Sequence, residues 1–145
     1  MELCVRAFGE LSLDELYEIM SLRQAVFVVE QSCPYQDMDG NDRQALHVFL
    51  SDEGKITAYL RVLPAGTGFE DVSIGRVVSA VRCCGFATRL VNDGIRLARE
   101  RFGAERIVIE AQTYARSLYE KAGFRQISEE FLEDGIPHIK MCLEL

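Results

Sequence analysis

The stretch from Ser73 to Phe102 constrains this chain most, because an apolar β-branched run there feeds a glycine loop that opens a helix. Ile74-Gly75-Arg76-Val77-Val78-Ser79 reads as a buried strand, short and rich in valine. Arg82-Cys83-Cys84-Gly85-Phe86-Ala87 follows, and Leu90, Val91, Gly94, Ile95, Ala98 and Phe102 then recur at helical spacing. Small residues at Gly85 and Ala87 let backbone N–H groups approach an anion without side-chain bulk, at the positive end of a helix. The unit predicts a ligand that carries phosphates.

The rest of the chain reads as elements around that unit. A strand is expected at Leu3–Phe8, and Ser12-Leu13-Asp14-Glu15 forms a capping box for a helix with Leu13, Leu16, Tyr17 and Met20 on its apolar face. A second helical piece continues through Leu22, Ala25, Val26 and Val29. Glu30 to Asp42 is a polar loop, and Leu46–Leu50 with Ile56–Leu63 reads as a hairpin around Asp52-Glu53-Gly54. Arg106–Ala111 is another apolar strand, Ala115–Ala122 a short helix, and Phe124–Ser128 and His138–Leu145 are closing strands joined by the acidic segment Glu129–Gly135. Strands that alternate with helices yet include hairpins predict an α/β (α+β) chain with a mixed, mostly antiparallel sheet and helices on both faces.

At 145 residues, one domain over residues 1–145 is expected. No apolar run approaches the ~20 residues of a membrane span, and Met1-Glu2-Leu3-Cys4-Val5-Arg6 lacks a signal-peptide pattern, so a cytoplasmic location is expected. Five cysteines without a C-x-x-C pair offer neither a disulfide framework nor zinc-ligand spacing, and no metal is expected. A net charge of −7 argues against nucleic acid or an anionic membrane as partner. It suits a cationic small molecule or a basic peptide terminus.

Three phosphate-loop chemistries compete. A Walker loop needs G-x-x-x-x-G-K-[ST], and the chain's Gly54-Lys55 pair is followed by Ile56 and has Phe49 where the first glycine belongs; the dinucleotide fingerprint G-x-G-x-x-G does not match either. The third is Arg82-x-x-Gly85-x-Ala87 in mid-chain, followed by Gln112-Thr113-Tyr114-Ala115-Arg116-Ser117-Leu118-Tyr119-Glu120-Lys121-Ala122-Gly123-Phe124. Together these resemble the acyl-CoA loop and the downstream Asn-x-x-Ala-x-x-Leu-Tyr-x-x-x-Gly-Phe signature of the GCN5-related N-acetyltransferase (GNAT) superfamily, with Gln112 where Asn is usual. Arg23 to Gln31, Cys33-Pro34-Tyr35-Gln36-Asp37, Asp39-Gly40 and Glu133 to Ile139 resemble its ElaA-like branch.

The resemblance implies an acetyl-CoA-dependent N-acetyltransferase whose sheet splays at the cofactor cleft, where Val77, Val78 and Ser79 contact the pantetheine arm. It implies that Arg82, Cys83, Cys84, Gly85, Phe86, Ala87 and Thr88 turn toward the pyrophosphate, with Gln112 nearby. Direct transfer to a primary amine needs an acid for the leaving thiolate, an oxyanion donor and a base for the ammonium. Tyr119 is the expected acid, and Val78 supplies an oxyanion donor. His138 and Glu110 are carried as catalytic candidates for the base, with His47 and Glu30 as further alternatives. Glu30, Tyr35 and Asp37 are carried as acceptor-binding residues, and Asp37, Asp39, Asp42, Glu133 and Asp134 as an acidic rim. The oligomeric expectation is a monomer or homodimer. A non-catalytic acyl-CoA-binding or sensing domain is the rival reading.

Overall fold

A computed structural model describes residues 1–82 and 84–145; Cys83, expected in the phosphate loop, lies outside them. Eight strands form one mixed sheet: β1 (Glu2–Ala7), β2 (Leu46–Asp52), β3 (Lys55–Leu63), β4 (Val72–Ser79), β5 (Arg106–Gln112), β6 (Arg125–Gln126), β7 (Phe131–Glu133) and β8 (Ile136–Glu144). Their order is β1-β2-β3-β4-β5-β8-β6, with β7 paired to β8. Every pairing is antiparallel except β4 with β5. The hairpin between β2 and β3 turns at Glu53 and Gly54, both at positive φ (50° and 79°), as a two-residue turn matched to the strand twist requires. The short β7 inside the acidic segment 129–135 is an addition to the sequence reading.

Two cores form because residues alternate across the sheet. Val48, Leu50, Leu60, Val62, Ile107 and Ile109 face one side, under α2 (Phe86–Phe102) and α3 (Arg116–Lys121). Helix α2 sits close to the sheet at Gly94, where an added Cβ would come within 3.2 Å of Leu60 and 3.3 Å of Ile74. Phe49, Tyr59 and Ile19 pack on the opposite side, beneath α1 (Leu13–Arg23). The Ser12 capping box forms as expected, with Ser12 and Glu15 bonding each other's backbone N–H groups.

The apolar face of α1 differs from the expectation. Leu13 and Tyr17 are exposed, whereas Ile19 and Arg23 are fully buried. Arg23 wins the inward position because three aspartates wait beneath it. Its guanidinium donates to Asp37 (2.8 Å) and Asp42 (2.7 Å), while Arg61 on β3 binds Asp39 and Asp42, and Arg76 on β4 binds Asp37 at 2.8 Å. The helix then continues as a π-helical segment, Gln24–Glu30, which leads into the loop that carries the aspartates.

Removing one member of a buried ion network leaves its partners charged and unpaired, which costs about 3–5 kcal/mol. Arg23→Ala is therefore expected to lower the urea midpoint by that amount of stability, whereas Arg96→Ala in an exposed helical pair should stay within about 0.5 kcal/mol. Equal effects of the two substitutions would remove the network from its structural role.

Candidate active site

The site begins where the sheet opens. β4 and β5 pair only at Val72 with Ile107 and Ser73 with Val108. Beyond Ser73 the strands diverge, leaving one edge of β4 without a neighbouring strand, and backbone N–H and C=O groups there need other partners. On its other edge β4 bulges against β3: Tyr59 pairs with Val78 and Arg61 with Gly75, so Arg76 and Val77 together oppose Leu60. Arg76 takes a positive φ of 53°, a left-handed conformation that costs a side-chain-bearing residue about 1–3 kcal/mol. Its guanidinium holds it there, bound to Asp37 and stacked 5.7 Å over the Tyr35 ring.

A cavity of about 750 Å³ fills the opening and runs from the loop before α2 to the β7–β8 turn. It reaches Val77, Val78 and Ser79 on β4 and Arg82, Cys84, Gly85, Phe86, Ala87 and Thr88 at the loop and the start of α2. Gly85 caps α2 at φ 73°, and nothing lies within 4 Å of where a Cβ would stand. A long amide-bearing ligand with an anionic end fits this cradle: an open strand edge for the amides, an uncrowded helix start for the anion. Arg82 is ion-paired with Glu30. Two residues expected in different roles thus meet across the mouth.

Gln112 also differs from a free cofactor contact. It exchanges a pair of amide hydrogen bonds with Gln31, 2.9 and 3.2 Å long, and ties the π-helical segment to the end of β5. Asp37 is corrected as an acceptor-binding carboxylate. It is buried, and Arg23, Arg76 and the Tyr35 hydroxyl occupy both of its oxygens. The same contact takes the Tyr35 hydroxyl, leaving its ring as wall. Asp42 is buried, whereas Asp39 is exposed at the cavity and ion-paired with Arg61; burial alone would raise both carboxyls, but Arg61 and Arg23 hold them below the ordinary range. Among the described residues no group of three or more His, Cys, Asp or Glu is placed to hold a metal ion.

His47 lies away from the cavity, fully buried. One ring nitrogen is 2.7 Å from the Tyr59 hydroxyl and the other 2.9 Å from the Asp42 carbonyl. Burial pushes its imidazole down and keeps it neutral. His138 does line the cavity. Its Nδ1 is 2.7 Å from the Ile136 carbonyl, which can only accept, so Nδ1 carries a proton and Nε2 faces Glu133. Across the β5–β8 ladder, Glu110 opposes Lys140 and Gln112 opposes His138, so all four share the α1 face of the sheet. Burial first, then the shared hydrogen bond and like charge of Glu133, push the Glu110 carboxyl up to about 7.

Tyr119 reaches the cavity from the other face. It is nearly buried, stands edge-on to Phe124 at 5.9 Å, and its hydroxyl bonds to no side chain or backbone group among the described residues. Burial raises its phenol above the ordinary value, so it carries its proton at neutral pH. Arg23, Arg61 and Arg76 are the site-forming residues that sequence reasoning left without a role. A charged residue inside the apolar runs Leu60–Val62 and Ile74–Val78 is the signal that could have found two of them.

The chain matches the acetyltransferase (GNAT) domain family over residues 12–145. It is 36% identical to protein ElaA of Escherichia coli, with 94% of this chain and 92% of ElaA covered. The fold superposes on the crystal structure of Escherichia coli ElaA with a TM-score of 0.91 at 35% identity, and on an acyl-CoA N-acyltransferase from Pseudomonas aeruginosa with a TM-score of 0.90 at 35% identity. Each comparison covers 99% of both chains. This chain belongs to the GNAT acetyltransferase family and is an ElaA-like protein. Among the described residues no helix is long and apolar enough to cross a membrane.

Glu110 supplies a stability test. A carboxyl raised from 4.5 to about 7 stabilises the fold in its protonated form, fully below pH 4.5 and no longer above about pH 7. Gln mimics the protonated form. Glu110→Gln should match the parent's melting temperature near about pH 4 and exceed it near about pH 8. A variant less stable than the parent at the higher pH would show that Glu110 is not held at a cost.

Proposed function

We propose that the protein transfers the acetyl group of acetyl-CoA to a primary amine by direct attack, within one domain spanning residues 1–145. The observation that carries this reading is the two-residue limit of β4–β5 pairing. It leaves a strand edge and a cavity lined from both faces of the sheet, which supports seating a long cofactor there. Val77 and Ser79 offer open-edge backbone groups to the pantetheine arm and the thioester oxygen, whereas Val78, expected as the oxyanion donor, turns its backbone groups to Tyr59 on β3. Arg82 and residues 84–88 face the pyrophosphate, with Arg82 exchanging Glu30 for phosphate.

The proton transfers divide between the two faces. Glu110, on the α1 side, takes the proton of the incoming ammonium; a carboxyl near 7 is matched to that task at neutral pH. Tyr119, on the α2 side, donates its phenolic proton to the departing sulfur. Because Asp37, Asp39 and Asp42 are neutralised by arginines, the negative charge left on the acceptor side comes from Glu110, Glu133 and Asp134.

Coenzyme A release from acetyl-CoA across amines, polyamines, amino acids and peptide N-termini tests the reaction. No turnover with any of them, despite acetyl-CoA binding, would make the protein a binding module. In the loop, Gly85→Glu places a carboxylate against the pyrophosphate and should weaken acetyl-CoA by more than about tenfold, or ~1.4 kcal/mol. Unchanged calorimetric affinity in a folded variant would move the phosphate site elsewhere.

Tyr119→Phe removes one hydroxyl and keeps the ring. The expected outcome is a fall in kcat of at least about tenfold with acetyl-CoA affinity nearly unchanged, the pattern of a lost transition-state interaction. Full kcat with a lowered melting temperature would make Tyr119 a packing residue.

A further inference from the structure

Glu133 lends negative charge to the acceptor side, and its position allows more than that. It ends β7, a strand of three residues that pairs with β8 at Phe131–His138, Leu132–Pro137 and Glu133–Ile136. That short strand brings a half-exposed carboxylate to the wall of the cavity that Glu110 also lines, and within 3.7 Å of His138 Nε2. The Phe131 ring stacks on His138 (centroids 6.1 Å apart, planes at 24°), fixing the imidazole plane, and the Ile136 carbonyl fixes its tautomer. Two carboxyl groups, Glu110 and Glu133, and the His138 imidazole thus line one cavity. Such a group is attractive only while it holds a proton.

We propose that Glu133 is a positioning residue: it keeps Glu110 poised as the base and carries the acceptor's proton from Glu110 to His138 at the cleft mouth. The inference rests on the acetyl-transfer reading for its kinetic consequence and on geometry alone for its electrostatic one. The step balances. The ammonium N–H bond breaks as an O–H bond forms at Glu110; the proton is shared with Glu133, passes to Nε2 of His138, and leaves to water as the next cycle begins. No oxidant or further reactant is involved.

The charges facing Glu110 are Lys140 and His138 on β8, Glu133 and Asp134 at β7 and its turn, and Arg76 on β4 across the cavity. Glu133 and Lys140 act on it with opposite sign. Removing them singly must therefore move Glu110 in opposite directions. A nearby like charge moves a carboxyl by about one unit or more, and burial, the larger cause here, remains after substitution.

Two readouts test this. In the protein alone, the ¹³C-labelled side-chain carboxyl of Glu110, assigned with Glu110→Gln, is titrated by NMR. Glu133→Gln should lower its midpoint by about one pH unit and Lys140→Met should raise it. In turnover, the acid limb of kcat/KM for the fastest-reacting amine should move in the same directions. The Glu133→Gln variant should also lose rate above that limb, because the relay to His138 is cut. A midpoint that ignores Glu133→Gln overturns the proposal, as does a midpoint that moves while the kinetic limb stays. Absence of turnover together with a moving midpoint would instead overturn the acetyl-transfer reading and leave Glu133's hold on Glu110 intact. A structural role for Glu133 alone would change melting temperature but neither titration.

Discussion

Three arginines and three aspartates pin the loop 31–42 to the sheet, and the acceptor side of the cleft depends on that clamp. Arg23 comes from α1, Arg61 from β3 and Arg76 from β4, and they converge on Asp37, Asp39 and Asp42. Arg23, Arg61, Asp37 and Asp42 are desolvated while Asp39 and Arg76 stay partly exposed, so the attraction stabilises because the geometry is close. The network sits on the same face as Phe49 and Tyr59, where Tyr59 also bonds His47 and lies under Arg23. That face would otherwise carry an aliphatic core like the α2 side. In its place it carries a rigid polar wall, which positions Tyr35 and the mouth of the cavity.

The clamp also bears on the backbone of β4. Arg76 keeps a left-handed conformation at the bulge because its guanidinium is held by Asp37 and Tyr35. The bulge at Arg76 and Val77 bends β4 just beyond Ser73, where its pairing with β5 ends, so side-chain electrostatics reinforce the sheet opening. The remaining ties across the opening are light: Gln31 to Gln112, Arg82 to Glu30, and the Cys33 thiol to the Asp134 carbonyl at 3.4 Å. They link the π-helical segment and the loop after it to three separate walls.

Much of this was legible from the residues. The strand, glycine loop and helix from Ser73 to Phe102, the Ser12 capping box, the Glu53-Gly54 turn and the helix end at Gly103 follow from local chemistry that no distant partner overrides. Two things were not. The inward face of α1 was misread because Leu13 and Tyr17 look like core, and an arginine looks like surface, until the aspartates 14 to 19 positions downstream are in place. The acidic loop read as an open rim for the same reason: a sequence counts charges without showing which are paired. Glu110 and His138 were visible as titratable residues, but their convergence required the β5–β8 register and the short β7 above it.

The arrangement divides the chemistry by strand parity. On β5, Ile107, Ile109 and Ala111 face the α2 core, so Glu110 and Gln112 face α1. Tyr119, from α3, belongs to the α2 core. In a closed sheet these two groups would be separated by a layer of backbone and could not serve one reacting centre. Opening β4 from β5 removes that layer over a few residues and lets one cavity touch both. A base and an acid kept on opposite faces do not neutralise each other by direct proton exchange, and each is reached from its own side, by the amine or by the sulfur. The splay therefore does more than admit a long cofactor. It allows the two proton transfers of the proposed reaction to be run by groups that the sheet otherwise keeps apart.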